Sequence, residues 1–493
     1  MADTLKTLTG DITANKEAIL SRMSYSADLV ERAFKAGGKW DAVLFYMSGV
    51  TDAEQIQSTL LLPLTVYFGN LKWTAETKNK TKAVLERLPV AEVQTETDMD
   101  EIAGALMSGD AILLLEGEAA CVRCAFKKWD KRAVAEPPTS AVVRGPREGF
   151  VEDMKTNTTL IRRRLRTESL ILTPLSVGRF SNTPVTVAHV RGIADENLVQ
   201  KITERIQGID IDGVIDSFYI QQFLEERRSG LFKQIGWCEK PDIAAAKLLE
   251  GRVAVFVDGS PAVLTLPYLF FEDVQSSADA YTRQAYNYMI LTVRLLSLIL
   301  AVLLPGVYVA AQVFHYNLLP LKLFVALSNA VQTTPLPPAL EMLFVLFLFM
   351  AVYEAALRMP RYVGMALSIV AALVLGETAV RAGILSSFSV LISAVSALAV
   401  QTVPDQAESA NVLKLFFVAA GGLAGFFGIA LGVLFVGLYM LTLDSYGAPY
   451  FAPYAPYIRN DVKDGIFRTN IAGMKTRPES IPNVNPKRQG SVK

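Results

Sequence analysis

A change of solvent near residue 286 constrains this chain more than any other feature. Before it lies a charged polypeptide of ordinary soluble character. After it come long apolar runs, among them LLSLILAVLLPGVYVAAQVF (295–314), AGILSSFSVLISAVSALAVQTV (382–403) and LFFVAAGGLAGFFGIALGVLFVGLYMLTL (415–443), none of which holds a charge. A bilayer core about 30 Å thick needs about 20 apolar residues at about 1.5 Å rise each. The chain therefore divides into a soluble domain and a polytopic membrane domain.

Its 493 residues are too many for one core, and the change of solvent sets the main division. Lys+Arg and Asp+Glu both number 48, so no net field points to nucleic acid. MADTLKTLTGDITANKEAIL lacks the apolar core and cleavage site of a signal peptide, and the expectation is a cytosolic soluble domain. Between Arg459 and Lys493 eight Lys/Arg face three acids, which favours the same side for the tail. Both ends on one side require an even number of crossings. Four are expected from five candidate segments: 286–314, 339–360, 362–383, 382–403 and 412–443. The run 319–333 is too short to cross, contains Lys322, and reads as re-entrant or interfacial.

The fold class expected is multidomain: a soluble α/β domain of two subdomains, 1–170 and 171–285, then an all-α membrane domain over 286–445 and a basic tail over 446–493. Residues 1–65 read as helical, with DAEQIQSTLLLPL ended by Pro63. ETDMDEIAGALMSGDAILLLEGEAACVRCAF reads as helix, strand, strand. Cys121 and Cys124 then fall on the second strand of a hairpin rather than at a helix start, where a redox CVRC would sit. VTVAHVRG and VAVFVDG read as strands, ADENLVQKITERIQGI and DIAAAKLLEG as helices, and IDSFYIQQFLEE as strand or helix. No GxGxxG, GxxxxGK[ST] or GxSxG occurs between Leu172 and Asp258. His189 and His315 are the only histidines and lie in different regions, so neither a histidine metal site nor a cofactor is expected, and no nucleophile-and-base set suggests an enzyme.

Four groups are candidate functional residues. Arg162, Arg163, Arg164 and Arg166 form a basic cluster that reads as an anion or partner patch or as a solvated helix face. Asp258, Gly259, Ser260 and Pro261 open a joint to the membrane domain without a flexible linker. Glu377 and Arg381, Glu354 and Arg358, together with Glu341, lie in or beside apolar segments, where a charge costs roughly 2.5–3.5 kcal/mol at the bilayer centre. The i,i+4 spacing keeps each pair together, and the readings are a polar ion path or gate, or an interfacial position. Gly421, Gly425, Gly428 and Gly432 line a small face suited to close helix packing, within one subunit or between subunits.

Several strings resemble one family: GPREGFVEDMKTNTTLIRRRL (145–165), VTVAHVRGIADENLVQKITERI (185–206), EKPDIAAAKLLEGRVAVFVDGSPAVLTLPYLFFEDVQSS (239–277), LPGVYVAAQVFH (304–315), RMPRYVGMALSIVAALVLGETAVRAGILS (358–386) and YGAPYFAPYAP (446–456). In this order they resemble the GerA-type spore germination receptors, A subunit. The resemblance implies a multi-pass protein of the spore inner membrane that takes part in sensing nutrient germinants. It also implies a homo-oligomer forming an ion-conducting pore, with a transporter-like B subunit and a lipoprotein C subunit as partners. A non-conducting scaffold, or a relative that amplifies germination without sensing nutrients, is the alternative. The chain departs from the family's pattern at Ala278 and Ala280, where an acid and a tyrosine are usual, and at Glu377, often Gln.

Overall fold

The computed structural model describes residues 5–67, 80–90, 92–126, 145–227, 230–332, 334–360, 369–370, 373–466, 469 and 471–489. Helix α1 (Ile12–Arg22) begins at Asp11, whose carboxylate accepts the N–H groups of Thr13 and Ala14. The chain then turns into strands β1 (Leu29–Ala36) and β2 (Trp40–Met47), an antiparallel hairpin. This corrects the expectation of helix throughout residues 1–65. Gly37 and Gly38 take positive φ of 61° and 72° at the turn, and WDAVLFYM packs on both faces of a central strand. Pro63 does not end the next helix either. Helix α2 (Ala53–Gln55) continues as π-helix through Ile56–Leu61 and Pro63–Tyr67, a wider register in which a missing N–H is tolerated.

Helix α3 (Lys80–Leu85), β3 (Val93–Glu96), α4 (Met99–Met107), β4 (Asp110–Leu115) and β5 (Cys121–Ala125) complete a five-stranded sheet, with order β1-β2-β4-β5-β3 and every described pair antiparallel. Ile19, Phe45, Ile102 and Leu106 fill one face, while Leu44, Ile56, Leu60 and Leu113 fill the other. Each such side chain contributes about 1.5–3 kcal/mol when fully buried.

The second sheet repeats the first. Helix α5 (Met154–Arg164), strands β6 (Leu170–Val177) and β7 (Thr183–Val190), helices α6 (Glu196–Gln207) and α7 (Ser217–Leu224), β8 (Gly236–Cys238), α8 (Pro241–Leu249), β9 (Val253–Val257) and β10 (Val263–Leu266) give the order β6-β7-β9-β10-β8. The connectivity is that of the first sheet. Asn15 ties its amide to the backbone of Thr9, and Asn157 makes the same two bonds with Val151, each four residues after its helix N-cap aspartate. Helix α5 precedes residue 170, yet its Leu160 and Ile161 lie in the core of the second sheet.

Helices α9 (Gln284–Val313), α10 (Leu321–Gln332), α11 (Pro338–Arg358), α12 (Ser387–Val400) and α13 (Ala407–Leu441) follow. By length and composition α9, α11 and α13 can each cross a membrane. Helix α12 is shorter than the run 382–403 led one to expect. Gly383 has φ 66°, Ser386 caps the helix, and at 14 residues it spans about 21 Å. Residues 362–368 and 371–372 of the expected third span lie outside the described residues.

Helix α13 is not one rod. Gly425 has φ 61° and ψ −145°, and the chain folds back there. The Ser409 hydroxyl donates to the Leu231 carbonyl (2.8 Å), while Arg227 donates to Thr442 Oγ1 (3.1 Å), so both ends of the helix reach the same loop of the soluble domain. A straight helix would hold residues 409 and 442 about 50 Å apart. The first limb runs alongside α9. A Cβ at Gly306 would meet the Phe417 carbonyl oxygen at 2.5 Å, one at Gly421 the Gly306 oxygen at 2.5 Å, and one at Gly425 the His315 ring at 2.7 Å. Helix α12 runs antiparallel to α9, its Ser396 hydroxyl donating to the Ala301 carbonyl (2.7 Å) and Tyr308 approaching Ser389. Leu296, Ile299, Phe347, Leu398, Phe427 and Phe435 face outward.

The tail returns to the second sheet. Tyr446 donates to the Leu224 carbonyl (2.8 Å), Arg477 Nε to that of Leu249 (2.7 Å), and the Val484 N–H to that of Ile193 (3.0 Å). The tail therefore packs against the soluble domain at the same end of the helices. Replacing Gly425 by alanine puts a side chain into a dihedral region that is essentially glycine's and against His315. Gly425→Ala is expected to lower stability by on the order of 1–3 kcal/mol from backbone strain alone, read as the unfolding midpoint of purified protein in detergent.

Candidate functional site

The soluble domain meets the membrane helices through a buried charged network. Leaving β10, the chain runs from Pro267 to Tyr281 before entering α9. Its Phe270 stacks on Phe451 of the tail and Phe271 meets the same ring edge-on (ring centroids 5.5 and 5.0 Å), and the Phe270 N–H donates to the Tyr450 carbonyl (3.0 Å). Between these rings the consecutive acids Glu272 and Asp273 point to different partners.

Asp273 holds three parts of the chain together. It accepts from Lys233 Nζ (2.8 Å), from Gln406 Nε2 at the start of α13 (2.7 Å), and from the Tyr268 hydroxyl. Lys233 also reaches Asp405 (3.4 Å). Burial disfavours the Lys233 ammonium, but the charges of Asp273 and Asp405 outweigh it and raise its pKa. Glu272 accepts from Lys247 (2.9 Å), from Arg252 and from the Leu269 N–H (2.8 Å). Burial would raise its carboxyl, yet the charges of Arg252 and Lys247 and their hydrogen bonds hold it at about 2. Nearly three turns into α9, Arg294 pairs with Asp279 (2.6 Å) and donates to the Val274 carbonyl (3.1 Å). Beside the network lies a cavity of about 620 Å³, lined by Trp237, Lys247, Arg294, Thr402, Asp461 and Asp464 among others.

Such an arrangement clamps. Buried charges in mutual contact resist separation, because breaking one pair strands the other charge at a cost of about 3–5 kcal/mol. Among the described residues no group of three or more His, Cys, Asp or Glu could hold a metal. Cys121 and Cys124 lie on β5, where burial pushes both thiols up to about 12.

The residues singled out in the sequence fall in several places. Asp258, Gly259, Ser260 and Pro261 form the turn between β9 and β10 and not the joint. Asp258 accepts from the Met154 N–H (3.2 Å), the Gly259 N–H donates to the Glu152 carbonyl (2.9 Å), and Ser260 bonds Ser217 (3.0 Å). The two-stranded excursion carries the chain back before it reaches the membrane side at Pro267. Arg162 is not part of an anion patch. It is 1% exposed, paired through Nε and Nη2 with Asp28 (2.9 and 3.0 Å) and bonded to the carbonyls of Thr167 and Leu170, so it fastens the two subdomains together. Arg164 pairs with Glu148 (2.8 Å), Arg166 Nε donates to the Arg163 carbonyl, and Arg163 lies beside them at the end of α5.

Glu354 with Arg358 (2.5 Å) and Glu377 with Arg381 (2.6 Å) form i,i+4 pairs on the outside of the helices, and Glu377 sits in a π-helical turn, Val374–Thr378. Glu341 is buried instead and bonds the Ser386 N–H. Gly421 and Gly425 face α9, whereas Gly428 and Gly432 face Ala420 and Phe417 of the first limb. All four glycines thus serve close packing within one chain, two against α9 and two inside the folded helix. Sequence reading missed Lys233, Asp273, Asp405 and Gln406, whose partners are far apart in the chain. The acids of LPYLFFEDV, embedded in aromatic residues, were the one visible signal.

The depressed pKa of Glu272 sets a sign. An ionised Glu272 stabilises the fold fully above the ordinary carboxyl value of 4.5, and that contribution is lost as pH falls towards about 2. Glu272→Gln is expected to lower the unfolding midpoint at pH 7 and to flatten the loss of stability between those two values, measured as midpoint against pH for both proteins.

Comparison with known proteins finds relatives over nearly the whole chain. The family described as Bacillus/Clostridium GerA spore germination protein matches residues 17–480. The chain is similar to Spore germination protein KA of Bacillus subtilis (strain 168), 34% identical over 470 residues, 94% of this chain and 86% of that protein. It is also similar to Spore germination protein GerLA of Bacillus cereus, 31% identical, with 96% of each chain covered. Among solved structures, the N-terminal domain of the A subunit of the Bacillus megaterium spore germinant receptor GerK3 is 29% identical. That match covers 54% of this chain and 98% of the domain, with a TM-score of 0.42. The chain belongs to the GerA family of spore germination proteins.

Proposed function

We propose that this protein is the A subunit of a nutrient germinant receptor in the spore inner membrane, that several copies assemble around an ion path, and that a transporter-like B subunit and a lipoprotein C subunit complete the receptor. The soluble domain and tail then lie in the spore core. The observation that carries the oligomer is the outward position of two ion pairs. The side chains of Glu354 and Arg358 are 57% and 80% exposed, and those of Glu377 and Arg381 are 48% and 78% exposed. Charges left against lipid are costly even when paired. A neighbouring copy that covers these faces removes the lipid and leaves a polar seam between subunits. Among the described residues of one chain nothing encloses the pairs, so a path lined by them runs between copies.

The joint supports gating from the soluble side. Lys233, on the soluble domain, and Gln406, at the start of α13, share Asp273, so displacement of the sheet pulls on the helices. Flux of monovalent cations from liposomes holding the purified protein tests this reading. Wild type is expected to conduct, and Glu377→Gln to change flux or ion preference several-fold with the protein still folded. Wild-type liposomes without flux would favour a scaffold, and unchanged flux and selectivity in both Glu377→Gln and Arg381→Ala would remove these residues from the path.

A further inference from the structure

The end of the bundle remote from the soluble domain holds a polar cluster that has no part in the joint. Glu341, in the first turn of α11, has no exposed surface. One carboxylate oxygen accepts the Ser386 N–H at 2.6 Å, and the other has no partner among the described residues. The Ser386 hydroxyl donates to that of Ser389 (2.9 Å), and these serines are 2% and 0% exposed. From α9 the Tyr308 hydroxyl comes within 3.5 Å of that of Ser389. Gln312 lies one turn further along α9, and both its amide atoms are buried without a hydrogen bond among the described residues. No described Lys, Arg or His pairs with Glu341.

A carboxylate withdrawn from water with one oxygen unsatisfied is unfavourable unless a positive charge meets it. Glu341 stands at the start of its own helix and faces the N-terminus of α12 through Ser386. The polar groups linked to this carboxylate run from Ser386 through the hydroxyl of Ser389 on α12 to that of Tyr308 on α9, with the amide of Gln312 one turn further along α9. Oxygen donors select hard cations, and a single carboxylate among neutral oxygens matches a single positive charge, whereas Ca²⁺ and Mg²⁺ sites draw on more carboxylates or retained water. We propose that Glu341, Ser386, Ser389, Tyr308 and Gln312 form a binding site for a dehydrated alkali cation, Na⁺ or K⁺, which ties α9, α11 and α12 together. The site stands independently of conduction, because it needs only one copy of the chain.

Thermal unfolding of the full chain in detergent tests it, at pH 7.5 and constant ionic strength, with NaCl or KCl exchanged against N-methyl-D-glucamine chloride. Binding to the folded state alone raises the midpoint with the logarithm of cation concentration. A rise of a few degrees in one alkali salt is expected, absent in Glu341→Gln. Ser389→Ala keeps the carboxylate and should need about tenfold more cation for the same rise. Equal midpoints in all three salts, or a cation response that survives in Glu341→Gln, would overturn the proposal. So would stabilisation that follows lowered pH and ignores the cation, since a proton then occupies the carboxylate. If Glu341→Gln does not fold, an unshifted response in Ser389→Ala overturns it equally. Ion flux is not the readout, so a chain that fails to conduct leaves this result intact.

Discussion

Asp273 is the point on which the soluble and membrane halves depend for their relative placement. Lys233 approaches it from the loop before β8, Tyr268 from the joint, and Gln406 from the turn into α13. Three segments far apart in sequence converge on one carboxylate that is 5% exposed as a side chain. In water such contacts are weak, but in a site closed by Phe270, Phe271 and Tyr450 the low local dielectric strengthens every one of them. The aromatic packing and the charges support each other. Rings exclude the water that would otherwise compete for Lys233, and the charges fix the rings' register against the tail.

From that anchor the helical bundle follows from a second constraint, the near-contact of backbones. Gly306 and Gly421 bring α9 and the first limb of α13 so close that a methyl group on either would strike the other's carbonyl. In lipid, where apolar side chains gain nothing by leaving their surroundings, such close packing is the main attraction between helices. Gly425 then turns the chain, and Gly428 and Gly432 let the second limb lie against Ala420 and Phe417. The fold-back returns residues 439–443 to the soluble domain and so lets Ser445 and Tyr446 bond the second sheet. Without it the tail could not strap that sheet.

Much of this was legible from residue pattern. VAVFV is apolar on both faces and lies mid-sheet, and Leu198, Val199, Ile202 and Ile206 recur with helical period behind the Asp195 cap. Other parts were not. LVERAFKA carries Glu31, Arg32 and Lys35, which reads as a polar helix but suits an exposed edge strand, where charge discourages further pairing. The glycines of α13 announce close packing whether the helix is straight or folded, because the positive φ of Gly425 leaves no trace in the residue type. Lys233 lies 40 residues from Asp273, and Asp405 lies 132 away, so no spacing rule joins them. The repeat of the two sheets was visible in principle: GDITANKEAIL and EDMKTNTTLIR share the cap aspartate and the asparagine four residues on, at Asp11 and Asn15 and again at Asp153 and Asn157.

That repeat also explains why Arg162 is buried and not a surface cation. Two similar sheets placed in tandem present similar, non-complementary faces, so something specific must hold them in one orientation. Arg162 ends its helix against Asp28, which precedes the first strand of the other subdomain, and a fork of two donors on one carboxylate fixes angle as well as distance. Arg22 adds a second tie to Glu168 (3.1 Å), and the Ala27 N–H reaches the Leu172 carbonyl (3.4 Å). The soluble domain is thereby one lever and not two hinged ones. Among the described residues it is also attached to the tail, to both ends of α13 and to the Asp273 cluster, and helix α12 leads from that cluster, through Val403 and Val400, to Ser389 and Ser386 beside Glu341 at the opposite end of the bundle. Helix α12 is thus short and bounded on both sides, Ser386 at its start donating to Glu341 and the turn that follows it tied to Asp273 through Gln406.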